Sequence, residues 1–144
     1  MSEQNQALVR RWFEIWSTGN LALADQIVAT NYVNQDPTAP MPEPGRAGFK
    51  QLVTQYRTAF PDLQCTVDEI IDAGDRVVTR WTTRGTHKGD LMGIPPTGKK
   101  IIFTGISINR VSNDQVVEHT TNWDALGLLR QLGVVQLGQA KRAT

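Results

Sequence analysis

Residues 100–123 read KIIFTGISINRVSNDQVVEHTTNW, and this stretch decides the fold. Two runs, 100–111 and 115–123, are rich in Ile, Val, Thr and aromatic residues, which suit a pleated surface. Between them Ser112, Asn113 and Asp114 are turn formers. The stretch therefore reads as two strands joined by a tight turn. Toward the N-terminus, residues 76–87 (RVVTRWTTRGTH) and 63–71 (LQCTVDEII) read as two more strands, with Ala73, Gly74 and Asp75 turning one into the other. Twelve residues at ~3.3 Å each span about 40 Å. A twisted sheet of strands that long curls.

The N-terminal half has a different period. Residues 4–18 place Leu8, Trp12, Ile15 and Trp16 on one helical face. Gly19 suits the position that stops this helix, and Asn20 suits the cap of the next, over about 21–30. Tyr32 and Val33 suggest a brief extended segment, and QDPTAPMPEPG (35–45) reads as a loop. A third helix over about 46–59 carries Phe49, Leu52, Val53 and Tyr56 at helical spacing. It ends at Phe60, because Pro61 disfavours a helical residue before it. Three helices followed by four sequential strands indicate an α+β class. The expected architecture is a cone-shaped α+β barrel, with three N-terminal helices on a curled antiparallel sheet around a cavity. One domain over 1–144 is expected, with about 134–144 as a loosely held tail.

Bulk properties exclude several classes. A net charge of +1 does not predict a nucleic-acid partner. The pairs Arg10-Arg11 and Lys99-Lys100 read as solvated surface. No apolar run approaches the ~18 residues of a membrane span, so no membrane partner is expected. The start MSEQNQALVRR lacks an apolar leader core. Cys65 is the single cysteine, which fits a reducing cytoplasm. It sits in a strand-like run and reads as an inert small apolar residue. His87 and His119 lie far apart with no metal-ligand spacing, so no metal is expected. The segment GIPPTGK (93–99) matches a phosphate-loop pattern only superficially. Lys100 stands where a hydroxyl residue is needed, and Pro95 and Pro96 lack backbone N–H donors.

The candidate chemistry gathers at the end of the last strand, where VVEHTTNWDALGLLRQLG (116–133) passes into a short apolar helix. Asp124 has two readings. It is a general acid or base whose carboxyl is poorly solvated beside Trp123 and Leu126, or it is the N-cap of that helix. His119, alternating with Thr121 and Trp123 on one face, would share a proton relay with Asp124 or bind a substrate oxygen; otherwise it is a structural histidine. Asn34 and Asp36 are candidate polar groups at the cavity mouth, or loop chemistry before Pro37. Trp12, Trp16, Tyr32, Phe49, Tyr56, Trp81, Phe103 and Trp123 supply core and some of the cavity wall. His87, at the end of its strand, reads as a group at the cavity rim or as an exposed loop residue, with the loop favoured.

Several stretches together resemble the SnoaL-like polyketide cyclase (ester cyclase) family of the nuclear transport factor 2-like superfamily. They are residues 18–37, PGRAGFKQLVTQYRTAFPDLQ (44–64), RWTTRGTHKGDLMGIPPTGKKI (80–101) and VVEHTTNWDALGLLRQLG (116–133). The resemblance covers nearly the whole chain. It implies a cone of three helices on a curled sheet and homodimers or homotetramers built through that sheet. It also implies intramolecular aldol-type ring closure of a polyketide ester, without metal or organic cofactor. A pocket carboxylate acts as acid and base, and the substrate's π-system spreads the enolate charge. Asp124 best matches that carboxylate, and His119 and Asn34 match supporting polar residues; Tyr32, Trp16, Trp81, Thr121 and Trp123 complete the expected substrate contacts. Two departures point to a different substrate. Asn34-Gln35-Asp36-Pro37 stands where relatives often have aspartate-histidine-aspartate-proline, and Thr120 stands where many have tryptophan. Alternatives of the same fold are a non-catalytic binder of hydrophobic small molecules, an isomerase or an epoxide hydrolase.

Overall fold

A computed structural model of the chain describes residues 2–38 and 40–136. Helix α1 (Ser2–Thr18) is followed by α2 (Leu21–Ile27), strand β1 (Val28–Gln35) and helix α3 (Gly45–Ala59). Strands β2 (Gln64–Ala73), β3 (Arg76–Thr86), β4 (Lys100–Ser112) and β5 (Gln115–Trp123) then run in sequence, and α4 (Ala125–Gln131) closes the described chain. The five strands form one sheet in the order β1-β5-β4-β3-β2. Four helices on an open, five-stranded mixed sheet give the cone-shaped α+β fold.

Two expectations need correction. The second helix stops at Ile27, not near residue 30, because β-branched Val28 begins a strand. The extended segment around Tyr32 is a full edge strand that runs parallel to β5, with Asn34 opposite His119 and Gln35 opposite Thr120. The sheet is therefore mixed. A parallel neighbour needs a long crossover, and here the chain between β1 and β5 contains α3 and the three other strands. The tail expected at about 134–144 falls largely outside the described residues, which end at 136.

The helices lie on one face of the sheet. α1 buries Leu8, Val9, Trp12, Phe13 and Ile15, and packs against β2. Gly19 stops it with a φ of +74° while its N–H reaches the Ile15 carbonyl at 2.8 Å. Asn20 then caps α2, accepting from the Leu23 N–H at 3.3 Å. α3 lays Phe49, Leu52 and Val53 over β1, each such burial contributing about 1.5–3 kcal/mol. Arg57 ties the corner together. Its guanidinium donates to the Trp16, Ser17 and Leu63 carbonyls at 3.0, 2.9 and 3.3 Å and to the Pro61 carbonyl at 3.1 Å. One side chain thus joins the end of α1, the end of α3 and the approach to β2.

Along β4 burial alternates strictly from Ile101 to Asn109. Odd-numbered residues face the helices and even-numbered ones face away, as a period of two requires. Gly105 is placed by packing: a Cβ there would lie 2.4 Å from the Trp81 ring and 2.8 Å from Trp123. The glycine leaves room for the Trp81 ring and the Trp123 Cβ on either side of β4. Among the described residues no helix is long and apolar enough to cross a membrane.

Candidate active-site cavity

The inner face of the sheet is a series of cross-strand rungs. Asn34, His119 and Asn109 stand side by side on β1, β5 and β4. The next rung holds Thr121, Ser107 and Thr79, and the next Trp123, Gly105 and Trp81. Phe103, Thr83 and Cys65 follow. Above the rungs lie Trp12, Phe13 and Trp16 of α1 and Leu52 and Tyr56 of α3. Between the two layers is a cavity of about 80 Å³. Its walls are largely aromatic, and its polar groups are few and named, which is the usual make-up of a small-molecule site.

Most of the expected residues meet there. His119, Asn34, Thr121, Trp81, Trp123 and Trp16 all line the cavity. Tyr32 does not. It is buried behind the wall, where its hydroxyl donates to Asn34 Oδ1 at 2.8 Å and orients that amide. Burial raises its pKa well above the usual tyrosine value, so this donor keeps its proton. Asp124 does not line the cavity either, and its expected place there is corrected. It is exposed, its Oδ1 accepts from the Gly127 N–H at 2.8 Å, and it caps α4. The physical reason is alternation: Trp123 points inward, and the next residue leaves the strand on the other side. There Asp124 borders a shallow outer groove with Arg80, Ile106 and Asn122.

The carboxylate at the cavity is Asp36. Its Oδ2 accepts from Trp123 Nε1 at 2.9 Å, and its Oδ1 accepts from the Thr38 N–H at 2.8 Å and the Thr38 hydroxyl at 2.6 Å. The bond to Trp123 joins the segment after β1 to the end of β5 across the mouth. Tyr56 shares the cavity; burial and then the Asp36 charge push its pKa upward, so its phenol is neutral. The Cys65 thiol, 3.1 Å from the Thr83 hydroxyl, is pushed up to about 11 chiefly by burial. It stays protonated and unreactive at neutral pH.

His119 is 6 % exposed. Its Nδ1 lies 2.6 Å from Asn109 Oδ1, and the Trp12 ring stacks on it at 4.4 Å with a 33° tilt. Burial lowers its pKa from 6.5 to about 3. The imidazole is therefore neutral at any ordinary pH. Trp81 Nε1 donates to Ser107 Oγ at 2.8 Å, and Ser107 donates to Thr121 Oγ1 at 3.0 Å, which fixes both cavity-lining side chains.

Sequence reasoning did not single out Asn109, Ser107 or Thr83. A signal existed: period-two alternation puts Ser107 and Asn109 on the same face as Ile101 and Phe103, so polar residues interrupt an apolar face. His87 is a further correction. It is fully buried against Phe60, not exposed, and its Nδ1 accepts from the Thr97 N–H at 3.2 Å. The GIPPTGK loop folds back over it, with the His87 N–H on the Lys99 carbonyl at 2.9 Å and the Gly98 N–H on the His87 carbonyl at 2.8 Å. Among the described residues no cluster of three or more His, Cys, Asp or Glu side chains could hold a metal ion.

A family model described as SnoaL-like polyketide cyclase matches residues 6–132. The chain belongs to the SnoaL-like polyketide cyclase family. Aklanonic acid methyl ester cyclase DnrD of Streptomyces peucetius is 30% identical over 129 residues, covering 88% of each chain. Nogalonic acid methyl ester cyclase of Streptomyces nogalater is 28% identical over 120 residues, covering 82% of this chain and 89% of the relative. The solved structure of TsrD from Streptomyces laurentii superposes with a TM-score of 0.84 at 26% identity, over 94% of this chain and 98% of that one. The family match spans all of the cavity-lining positions.

Proposed function

We propose that this chain is a cofactor-independent cyclase that closes a ring in a small hydrophobic carbonyl compound by intramolecular aldol-type addition. The observation that carries this reading is a carboxylate, Asp36, on an aromatic-walled cavity that also presents Asn34 and neutral His119. The relatives named as methyl ester cyclases support the same reaction class. Asp36, not Asp124, is assigned the acid-base role. Its carboxylate takes the proton α to one carbonyl, the enolate carbon bonds to a second carbonyl carbon, and the carboxylic acid returns the proton to the new alkoxide. Asn34, whose Oδ1 is occupied by Tyr32, offers its Nδ2 to the enolate oxygen. Trp81, Trp123 and Trp16 sandwich the flat π-system. A neutral substrate suits a cavity in which burial disfavours charge.

The test is turnover of an aromatic polyketide methyl ester by Asp36→Asn. A fall of ~10²–10⁴ in kcat is expected, the usual contribution of general acid–base catalysis. Activity within a few-fold of wild type overturns the assignment to Asp36. One observation favours the non-catalytic binder: both Asp36 oxygens already accept hydrogen bonds. That reading predicts ligand retention with no turnover by the wild-type protein.

A second copy of this chain is proposed to cover the outer face of the sheet, giving a homodimer or homotetramer. Ile102, Ile106 and Ile108 are 46%, 56% and 40% exposed along one side of β4. Such a row on an open sheet face supports association. A cytoplasmic location is proposed from the single, protonated thiol.

A further inference from the structure

Asn109 is fully buried on β4 and stands directly across from His119 on β5. A polar amide on an apolar inner face is costly unless it is hydrogen-bonded. Its oxygen lies 2.6 Å from the imidazole Nδ1, while its Nδ2 has no partner among the described residues. That separation is just below the usual range of about 2.7–3.2 Å for N–H···O. It is too short for an amide N–H on a ring nitrogen, since nitrogen is the larger acceptor atom. The contact is therefore read as the ring Nδ1–H donating to the amide oxygen.

We propose that Asn109 is a positioning residue that locks His119 as its Nδ1–H tautomer, so that the cavity presents the bare Nε2 lone pair to a phenolic or enolic hydroxyl of the ligand. The Trp12 ring, 4.4 Å from the imidazole, holds its plane. Among the described residues the imidazole's one hydrogen bond is at Nδ1, and His119 lines the cavity. Burial keeps the ring neutral, so it attracts a hydroxyl and not a carboxylate. The other titratable groups around the cavity are Asp36, Tyr56 and Cys65. With Asn34 as donor and His119 as acceptor on one rung, the site is matched to a carbonyl and a hydroxyl on one face of a planar ligand.

The proposal rests on this cavity being the ligand site, but its first test needs neither substrate nor turnover. In protein labelled with ¹⁵N-histidine at neutral pH, His119 should show a protonated Nδ1 and an unprotonated Nε2. His119→Gln assigns the signals against those of His87. An Nε2–H tautomer in the wild type overturns the proposal. The second test is binding of 2-naphthol against 2-methylnaphthalene, followed by tryptophan fluorescence. Wild type should prefer the naphthol by roughly tenfold, one hydrogen bond's worth. Asn109→Leu should abolish that preference and leave methylnaphthalene binding unchanged. Asn109→Asp keeps an acceptor oxygen and should retain both the Nδ1–H signal and the preference, which also covers failure of the leucine variant to fold. Equal binding of the two probes by wild type, or an unaltered preference in Asn109→Leu, overturns the proposal. Absence of cyclase turnover would instead count against the reaction assigned above, with these signals unchanged.

Discussion

At the scale of single residues, His119 and Gly105 show how context replaces intrinsic chemistry. A free histidine titrates near 6.5, but desolvation brings His119 to about 3. The folded pKa lies below the unfolded one, so the unfolded chain binds an extra proton between these values. Stability is then complete above about pH 6.5 and falls as pH decreases through that window. Denaturant midpoints should show a loss of about 2 kcal/mol between pH 6.5 and about pH 4.5, at ~1.4 kcal/mol per pH unit. His119→Gln should flatten this slope by about one proton; an unchanged slope would remove His119 as its source. Asp25 and Asp62 do not confound the window. Their pKa values are lowered below the usual 3.8, chiefly by hydrogen bonds to Lys50 and Thr86, so they lose stability only at lower pH. Gly105 acts by having no side chain. Gly105→Ala should displace the Trp81 ring, destabilise by about 1–3 kcal/mol as overpacking does, and weaken naphthol binding. Thermal melts with wild-type midpoint would contradict this.

At the scale of elements, α4 illustrates the division between capping and catalysis. Asp124 caps it, Leu128 anchors it in the core, and Gln131 clips it to β4 by accepting from the Ile102 N–H at 2.8 Å and donating to the Ile102 carbonyl at 2.7 Å. β5 ends opposite Gly105, so Ile102 has no strand partner on that side, and the glutamine amide stands in for one. Asp124→Ala should lower stability by about 1 kcal/mol, the usual value of a cap. It should leave kcat unchanged, in contrast to Asp36→Asn. Side-by-side kinetics of the two variants decide which carboxylate does the chemistry, and a large kcat loss in Asp124→Ala with normal Asp36→Asn turnover would reverse the assignment.

At the scale of the molecule, the cone has a largely aromatic, helix-covered inside and an outer sheet face bearing isoleucines between ion pairs. Arg80 with Glu69 and Arg110 with Glu118 flank the isoleucine row. Charged rims around an apolar centre resemble the layout of protein interfaces. Light scattering should report an oligomer for wild type at micromolar concentration and a monomer for Ile106→Asp with the fold retained by circular dichroism. A monomeric wild type would end the proposal of pairing through the sheet.

Local periodicity carried much of this in advance. The strand runs, the Gly19 and Asn20 signals and the Pro61 stop are local physics, so they were legible without any knowledge of neighbours. The alternation of His119, Thr121 and Trp123 also placed three cavity residues correctly on one face. Asp124 was legible as a cap but not as lying outside the cavity, because one residue beyond a strand end the facing reverses and no period remains to follow. Tyr32 was read as cavity wall, but it lies behind the wall and supports Asn34 two residues along the same strand, because the depth of a strand residue below the cavity depends on how the helices pack over it. His87 was hidden because the loop that buries it returns from ten residues away.

Periodicity, turn chemistry and a shared pattern along the chain were enough for the α+β class, the four consecutive strands β2 to β5 and the family. The packing of distant segments settled that Asp36 meets Trp123, that Asn109 pairs with His119, and that Asp124 lies outside the cavity. Those facts depend on register and on contacts between distant segments, and a shift of one residue would reverse each of them.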